Sequence, residues 1–130
     1  MADVITYRDL ETWQVAMDLV ERCYKATTNF PQSELSGLAS QLRRAPISIP
    51  SNVAEGYCLK STASYSNHVA IALGSHGELE TCIKISSRLG FLTDDQKRSL
   101  SPFCEWTGRL LNGLHRSLEA KIARGRTSSS

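Results

Sequence analysis

Residues 34–57 read ELSGLASQLRRAPISIPSNVAEGY, and this stretch contains the clearest evidence for a helical fold. Its apolar side chains recur every three or four residues, at Leu38, Leu42, Ala45, Ile49 and Val53. That spacing places them on one face of a helix. We therefore predict a long amphipathic helix, capped at its start by Ser33 or Ser36 and ended near Gly56.

Two prolines interrupt this second helix. Pro46 and Pro50 lack the amide hydrogens that would bond the carbonyls of Leu42 and Pro46, a loss of about 3 kcal/mol each. We predict a kink here, with Ser48 and Asn52 helping to satisfy the local backbone. Two interpretations stay open: a curved helix that wraps its bundle, or a polar notch that receives a partner.

Helical periodicity also marks the segments on either side of this helix. Residues 10–28 carry a stripe, preceded by Asp9 as a candidate N-cap, through Trp13, Ala16, Met17, Val20, Tyr24 and Thr27. Residues 62–89 carry a longer stripe through Tyr65, Val69, Ala72, His76, Leu79, Ile83 and Ser86. Five further apolar residues are predicted to widen the second stripe: Ile71, Leu73, Cys82, Ile85 and Leu89. Gly90 is predicted to cap its end.

A fourth helix follows, with two candidate starts. Thr93 and Gln96 have the spacing of a capping box, whereas Pro102 favours a start near Ser101 with the proline in the first turn. The whole pattern predicts an all-α, antiparallel up-down four-helix bundle with a proline-kinked second helix. Residues 1–130 are predicted to form one domain, with an ordered core over about 8–122 and a flexible polar tail over 123–130.

Composition limits the class of protein. The 130 residues suit one domain, and 15 Lys and Arg against 13 Asp and Glu leave a net charge of +2, weak evidence for nucleic-acid binding. The four cysteines contain no CxxC pair, so they are predicted to be reduced and mostly buried rather than zinc-bound. No signal-peptide pattern and no apolar run of about 20 residues occurs, which predicts a cytoplasmic protein without membrane contact.

Five groups of residues together resemble one bacterial family. They are residues 9–14, Phe30-Pro31, 37–45 with 48–56, 74–75 with 78–81, and 89–92. The family is the four-helix-bundle proteins encoded in intervening sequences of large-subunit ribosomal RNA genes. The resemblance spans about residues 7–120. The motif residues that it identifies as structural are Gln41, Ser48, Pro50, Asn52, Glu55, Gly56 and Glu78.

This resemblance implies a homopentamer around a central channel. It also implies a distant relation to the accessory protein of diversity-generating retroelements, a basic pentamer that binds nucleic acid and a reverse transcriptase. The chain departs from the family pattern at Pro46, at His76 and over residues 57–60. The last departure weakens any transfer of nucleic-acid contacts to the turn near Lys60.

Seven basic residues are candidate nucleic-acid contacts: Arg43, Arg44, Lys60, Lys84, Arg88, Arg109 and Arg116. The competing interpretation pairs Arg43 or Arg44 with Glu55 or Glu80 and leaves the others as solvated surface charges. Five copies of a +2 chain would carry a formal charge of +10, which could act on a polyanion.

The sequence contains only weak candidates for metal-binding and catalytic motifs. His76 and Glu80 are four residues apart, but no Glu-x-x-His occurs, so no metal site or cofactor is predicted. Ser75 with His76 and Cys58 with His68 lack a nucleophile turn, so no catalytic residues are predicted. The leading hypothesis is a non-enzymatic, oligomeric module that binds RNA or DNA. One form of this hypothesis adds a protein partner. The alternative is a structural or protein-interaction module without nucleic-acid binding.

Overall fold

A computed structural model describes residues 3–128, which form four long helices and no strand. The helices are α1 (Glu11–Thr27), α2 (Leu38–Cys58), α3 (Thr62–Arg88) and α4 (Asp94–Ser128). Short 3-10 helices at Tyr7–Asp9 and Gln32–Glu34 lie before α1 and α2. The prediction of an all-α four-helix bundle is confirmed.

Each helix packs against two others, in the cyclic order α1, α2, α3, α4. The buried apolar residues form one core shared by all four helices. The antiparallel order remains a prediction, and the contacts between α2 and α3 run in the direction that it requires. Ser48 meets Ser75, and Asn52, further along α2, meets His68, which lies earlier on α3.

The starts of α1 and α2 differ from the predicted caps. Asp9 does not cap α1, because its carboxylate accepts the backbone amides of Ile5 and Thr6, both at 3.0 Å, and closes a capping box on the 3-10 helix. Neither Ser33 nor Ser36 caps α2, whose N-cap is Gly37. A glycine has no side chain for this task, so Glu34 reaches forward to the amide of Leu38 at 3.4 Å.

α4 begins at the earlier of its two candidate starts. The amide of Gln96 donates to Thr93 Oγ1 (3.1 Å), and the amide of Thr93 donates to the Gln96 side chain (2.9 Å), so the capping box is confirmed. The start near Ser101 is wrong, and Pro102 lies inside the helix. α4 also continues through residues 123–128, so the segment predicted as a polar tail is helical up to Ser128, and residues 129–130 lie outside the described part.

Both prolines of α2 are buried inside a continuous helix, and the kink remains a prediction. Asn52 does bond the local backbone, as predicted, through Nδ2 to the carbonyl of Ser48 at 2.8 Å. That carbonyl is not one of the two that the prolines leave unbonded.

The buried faces of α1 and α3 are narrower than predicted. The core face of α1 runs through Leu19 and Cys23, whereas Met17 and Tyr24 of the predicted stripe are 38% and 43% exposed. The predicted stripe of α3 is buried apart from half-buried Tyr65, but three of the residues predicted to widen it are exposed: Ile71, Ile85 and Leu89. Periodicity alone cannot choose between two apolar faces of one helix.

All four cysteines are free thiols, three of them buried, as predicted, while Cys58 is exposed. Within residues 3–128, none of the helices combines the length and the apolar character that crossing a bilayer requires.

Candidate functional site

A chain of polar side chains joins α2 to α3, and we call it the polar seam: Ser48, Asn52, Glu55, His68 and Ser75. Ser75 donates its hydroxyl to Ser48 Oγ (2.8 Å), and Asn52 Nδ2 donates to the same oxygen (3.0 Å). His68 Nδ1 lies 3.0 Å from Asn52 Oδ1 and 3.8 Å from Glu55 Oε2. Asn52 Oδ1 can only accept, so the proton of His68 is assigned to Nδ1.

Gly56 allows α2 and α3 to approach closely beside this seam. A Cβ at Gly56 would lie 2.8 Å from His68 Cβ and 3.2 Å from Tyr65 Cα, closer than packed atoms allow. Ser48, Asn52, Glu55 and Gly56, four of the predicted motif residues, therefore hold two helices together. Both interpretations of the proline segment, a curved helix and a polar notch, stay predictions, and Ser48 and Asn52 of that segment contact α3.

The remaining polar motif residues line a shallow groove next to the seam. Gln41, Arg44 and Ser48 of α2 face Ser75 and Glu78 of α3 across it. Arg44 is exposed here, but Glu78 brings the opposite charge to the same groove. This groove alone is therefore a mixed-charge surface rather than a basic one.

Arg43 contacts two residues of α1 in its own chain. Its Nε donates to Thr27 Oγ1 at 2.8 Å, and its guanidinium lies 4.9 Å from the centre of the Tyr24 ring. Within the described chain, Glu55 lies beside His68 and Glu80 beside His76 rather than beside an arginine, while the predicted pairing across a subunit interface stays a prediction. A side chain held on two contacts is a weak candidate for phosphate binding.

The other six candidate basic residues are exposed but do not form one patch. Lys84 and Arg88 are one turn apart on α3, and Arg109 and Arg116 are two turns apart on α4. Lys84 shares a groove with Lys97, Glu80 and Glu105, again of mixed charge.

One group of cations lies where the start of α3 meets the last third of α4. Ser66 donates to Glu119 Oε1 at 2.7 Å, which places these two segments side by side. Lys60, two residues before α3 and with a left-handed φ of 56°, therefore lies at this end. The last turns of α4 contribute four more cations there: Arg116, Lys121, Arg124 and Arg126. Lys121, Arg124 and Arg126 are absent from the predicted set, and the last two fall in the segment that was predicted to be a tail.

His76 is buried against α4 in a contact that the periodicity does not reveal. Its Nε2 lies 2.7 Å from the carbonyl oxygen of Cys104, and its Nδ1 lies 3.5 Å from Glu80 Oε1. The ring occupies the space above Gly108, where a Cβ would lie 2.7 Å from Cε1. Gly108 is therefore a structural residue that the predicted site set omits, and its small size in a helix interior is the one signal for it.

The chain also exposes two apolar surfaces, one between α1 and α2 and one along α3. Met17 and Ile47 are partly exposed in a groove between α1 and α2, beside Trp13, Val20 and Pro50. On α3, Ile71, Ile85 and Leu89 are 53%, 41% and 61% exposed. Ile71 and Leu89 are five full turns apart and share one side of the helix, with Ile85 close to it. Trp106 of α4 is also partly exposed, at 39%.

In the two pairs that resemble nucleophile and base, the serine and both histidines have other partners. Ser75 donates to Ser48, His68 contacts Asn52, and His76 contacts the Cys104 carbonyl.

A family model described as "23S rRNA-intervening sequence protein" matches residues 8–113. No curated protein matches the chain.

Proposed function

Because the chain belongs to the 23S rRNA-intervening sequence protein family, whose model matches most of its length, we propose that it is a non-enzymatic, oligomeric binding module. The observation that carries this proposal is the exposed apolar side of α3. The family resemblance implies a pentamer as the assembly. Each subunit would hold RNA or DNA at the end of the bundle where Lys60 meets the last turns of α4.

The apolar surfaces support assembly. A helix that is apolar on more than one side is typical of one buried on all sides, yet α3 exposes Ile71, Ile85 and Leu89 in a single chain. The groove between α1 and α2, lined by Met17 and Ile47, is a second and different apolar surface. Two different surfaces that meet in a head-to-tail contact generate a ring when the rotation between neighbouring subunits closes.

The charge distribution supports the nucleic-acid role. Residues 116–126 contain one acidic residue, Glu119, and four cations: Arg116, Lys121, Arg124 and Arg126. Lys60 adds a fifth cation at the same end. A ring would repeat this basic end in every subunit and thereby strengthen its attraction for phosphates.

Sedimentation velocity tests the assembly. We expect the wild-type chain to sediment as a complex of five chains, and Leu89→Lys to lower the mass by placing a charge in the interface. Ile5→Lys is the matched control, since Ile5 is exposed (80%) outside the helices. A monomeric wild-type chain at micromolar concentration would sink the proposal of assembly, as would equal masses for Leu89→Lys and wild type.

Fluorescence anisotropy with labelled RNA and DNA across a salt series tests the binding. We expect Lys60→Gln with Arg116→Gln to weaken binding and to lower the slope of log K against log salt by about 0.7–0.9 for each lost phosphate contact. Lys25→Gln with Lys97→Gln removes the same charge from the opposite end and should have little effect. Absence of binding at low salt, or equal effects of the two double variants, contradicts the nucleic-acid role.

The alternative module, without nucleic-acid binding, is favoured by the mixed-charge grooves. Arg44 faces Glu78, and Lys84 lies with Glu80 and Glu105. Grooves of mixed charge suit a protein partner whose surface carries the complementary charges. A pull-down with and without nuclease separates the two roles, because a directly bound protein partner survives nuclease treatment.

A further inference from the structure

We propose that His76, Glu80 and Cys104 form a binding site for a thiophilic divalent transition metal, with Zn²⁺ as the typical occupant. The site lies where α3 packs on α4, away from the basic end of the bundle and from the exposed side of α3. A ring nitrogen of His76, a carboxylate oxygen of Glu80 and Sγ of Cys104 all lie within 4.8 Å of one another, and Sγ lies 3.6 Å from His76 Nε2. No part of the proposed nucleic-acid role depends on it.

The tautomer of His76 and its contact with Glu80 suit a metal ligand, and the Cys104 side chain must turn from Nε2 towards Nδ1 to join them. A carbonyl oxygen can only accept, so His76 Nε2 carries the proton in its 2.7 Å contact with the Cys104 carbonyl. Histidines that bind metals commonly donate their second ring nitrogen to such a carbonyl, which fixes the tautomer and turns the other lone pair outward. That lone pair, on Nδ1, faces Glu80 Oε1 at 3.5 Å, the separation of two ligands around a tetrahedral zinc ion.

Gly108 holds this orientation. The imidazole lies directly over it, and any side chain there would push the ring away from α4. The ring position thus depends on a residue that contributes no donor atom. This is how supporting residues position ligands in metal sites.

The third donor is the buried thiol of Cys104. Metal binding would break the S–H bond and form a metal–sulfur bond, with the proton released to solvent. The cation would also remove the repulsion between the thiolate and Glu80.

The surroundings select the class of metal. Glu80, Cys104 and Glu105 line a cavity of about 200 Å³, which leaves room for water or Glu105 as a fourth ligand. Lys84 and Lys97 also line this cavity, and their charges oppose hard cations that bind by electrostatics alone. A thiolate and an imidazole instead favour zinc and its neighbours.

Cobalt titration tests the site in the full-length chain. Cys58→Ser serves as the parent, because Cys58 is the exposed thiol. We expect one Co²⁺ per chain, a thiolate-to-cobalt charge-transfer band, displacement by one equivalent of Zn²⁺, and an affinity that rises about 10-fold per pH unit as one proton is released. The absence of the band in the parent would overturn the proposal.

Two further variants identify the donors. Cys104→Ser should abolish the band, and Glu80→Gln, at a half-exposed position that tolerates substitution, should weaken binding by at least about 10-fold. Glu78→Gln is the matched control on another side of α3 and should bind like the parent. A band that persists in Cys104→Ser, or equal affinities of Glu80→Gln and Glu78→Gln, would show that the site is not built from these donors.

Discussion

Replacement of Gly108 by alanine should destabilise the fold, although alanine is the better helix former. The new Cβ would lie 2.7 Å from His76 Cε1 and 2.9 Å from Nε2, inside the contact distance of both atoms. The ring is part of the buried interface, so it must shift and lose its hydrogen bond to the Cys104 carbonyl. This prediction tests the central contact between α3 and α4.

The magnitude follows from three contributions to the free energy of unfolding. Overpacking costs about 1–3 kcal/mol, and the lost hydrogen bond costs about 0.5–1.5 kcal/mol. The exchange of glycine for alanine in a helix interior raises the free energy of unfolding by about 1 kcal/mol. We therefore expect a net loss of about 1–3 kcal/mol for Gly108→Ala. Gly77→Ala, with no atom within 4 Å of its new Cβ, should gain up to about 1 kcal/mol.

Urea unfolding followed by circular dichroism measures both variants, at one protein concentration and with a chelator present. A second comparison isolates the contact: in a His76→Ala background, Gly108→Ala should become neutral or stabilising. If Gly108→Ala is as stable as Gly77→Ala, or if its effect is unchanged without the imidazole, the proposed dependence of His76 on Gly108 is wrong.

Three more outcomes follow from the contacts and thiols. Asn52→Ala should cost about 1–3 kcal/mol in urea unfolding because it leaves partners in the polar seam unbonded, whereas Asn67→Ala at an exposed position should cost little. A thiol reagent at pH 8 should modify Cys58 rapidly and the other cysteines only after unfolding; rapid modification of two thiols contradicts the burial. Burial raises the pKa values of Cys23 and Cys104 from 9.0 to about 12, so their contribution is complete below pH 9 and is lost as pH rises towards 12. Unfolding free energy should therefore fall between pH 9 and pH 11, less steeply in Cys104→Ala than in the wild-type chain.

Local features of the helices were predictable from the residues themselves. The stripe through Leu42 and Ile49 marks α2, and the pair Thr93 and Gln96 marks the start of α4. These signals act within one or two turns, where side-chain spacing and capping bonds decide the backbone conformation. The predicted cap of α1 failed because earlier backbone amides, those of Ile5 and Thr6, bind the Asp9 carboxylate, which caps the 3-10 helix instead.

The motif residues were identifiable, but their partners were not. Asn52 and Ser48 stand one turn apart, which suggested a link to their own backbone, and one such bond exists. Their contacts to His68 and Ser75 depend on how α3 is aligned with α2. Nothing in the spacing of residues within one helix specifies that alignment.

Four amphipathic helices, the positions of most helix ends and the family could be predicted from the residues, because periodicity, caps and motifs are local properties of the chain. Tertiary structure alone decided which apolar face of α1 is buried, since that helix offers two. It also decided that His76 and Glu80 lie with Cys104, 28 residues after His76, over the gap left by Gly108. Side chains on different helices meet only after packing sets the helix alignment, and that alignment is a property of the whole core.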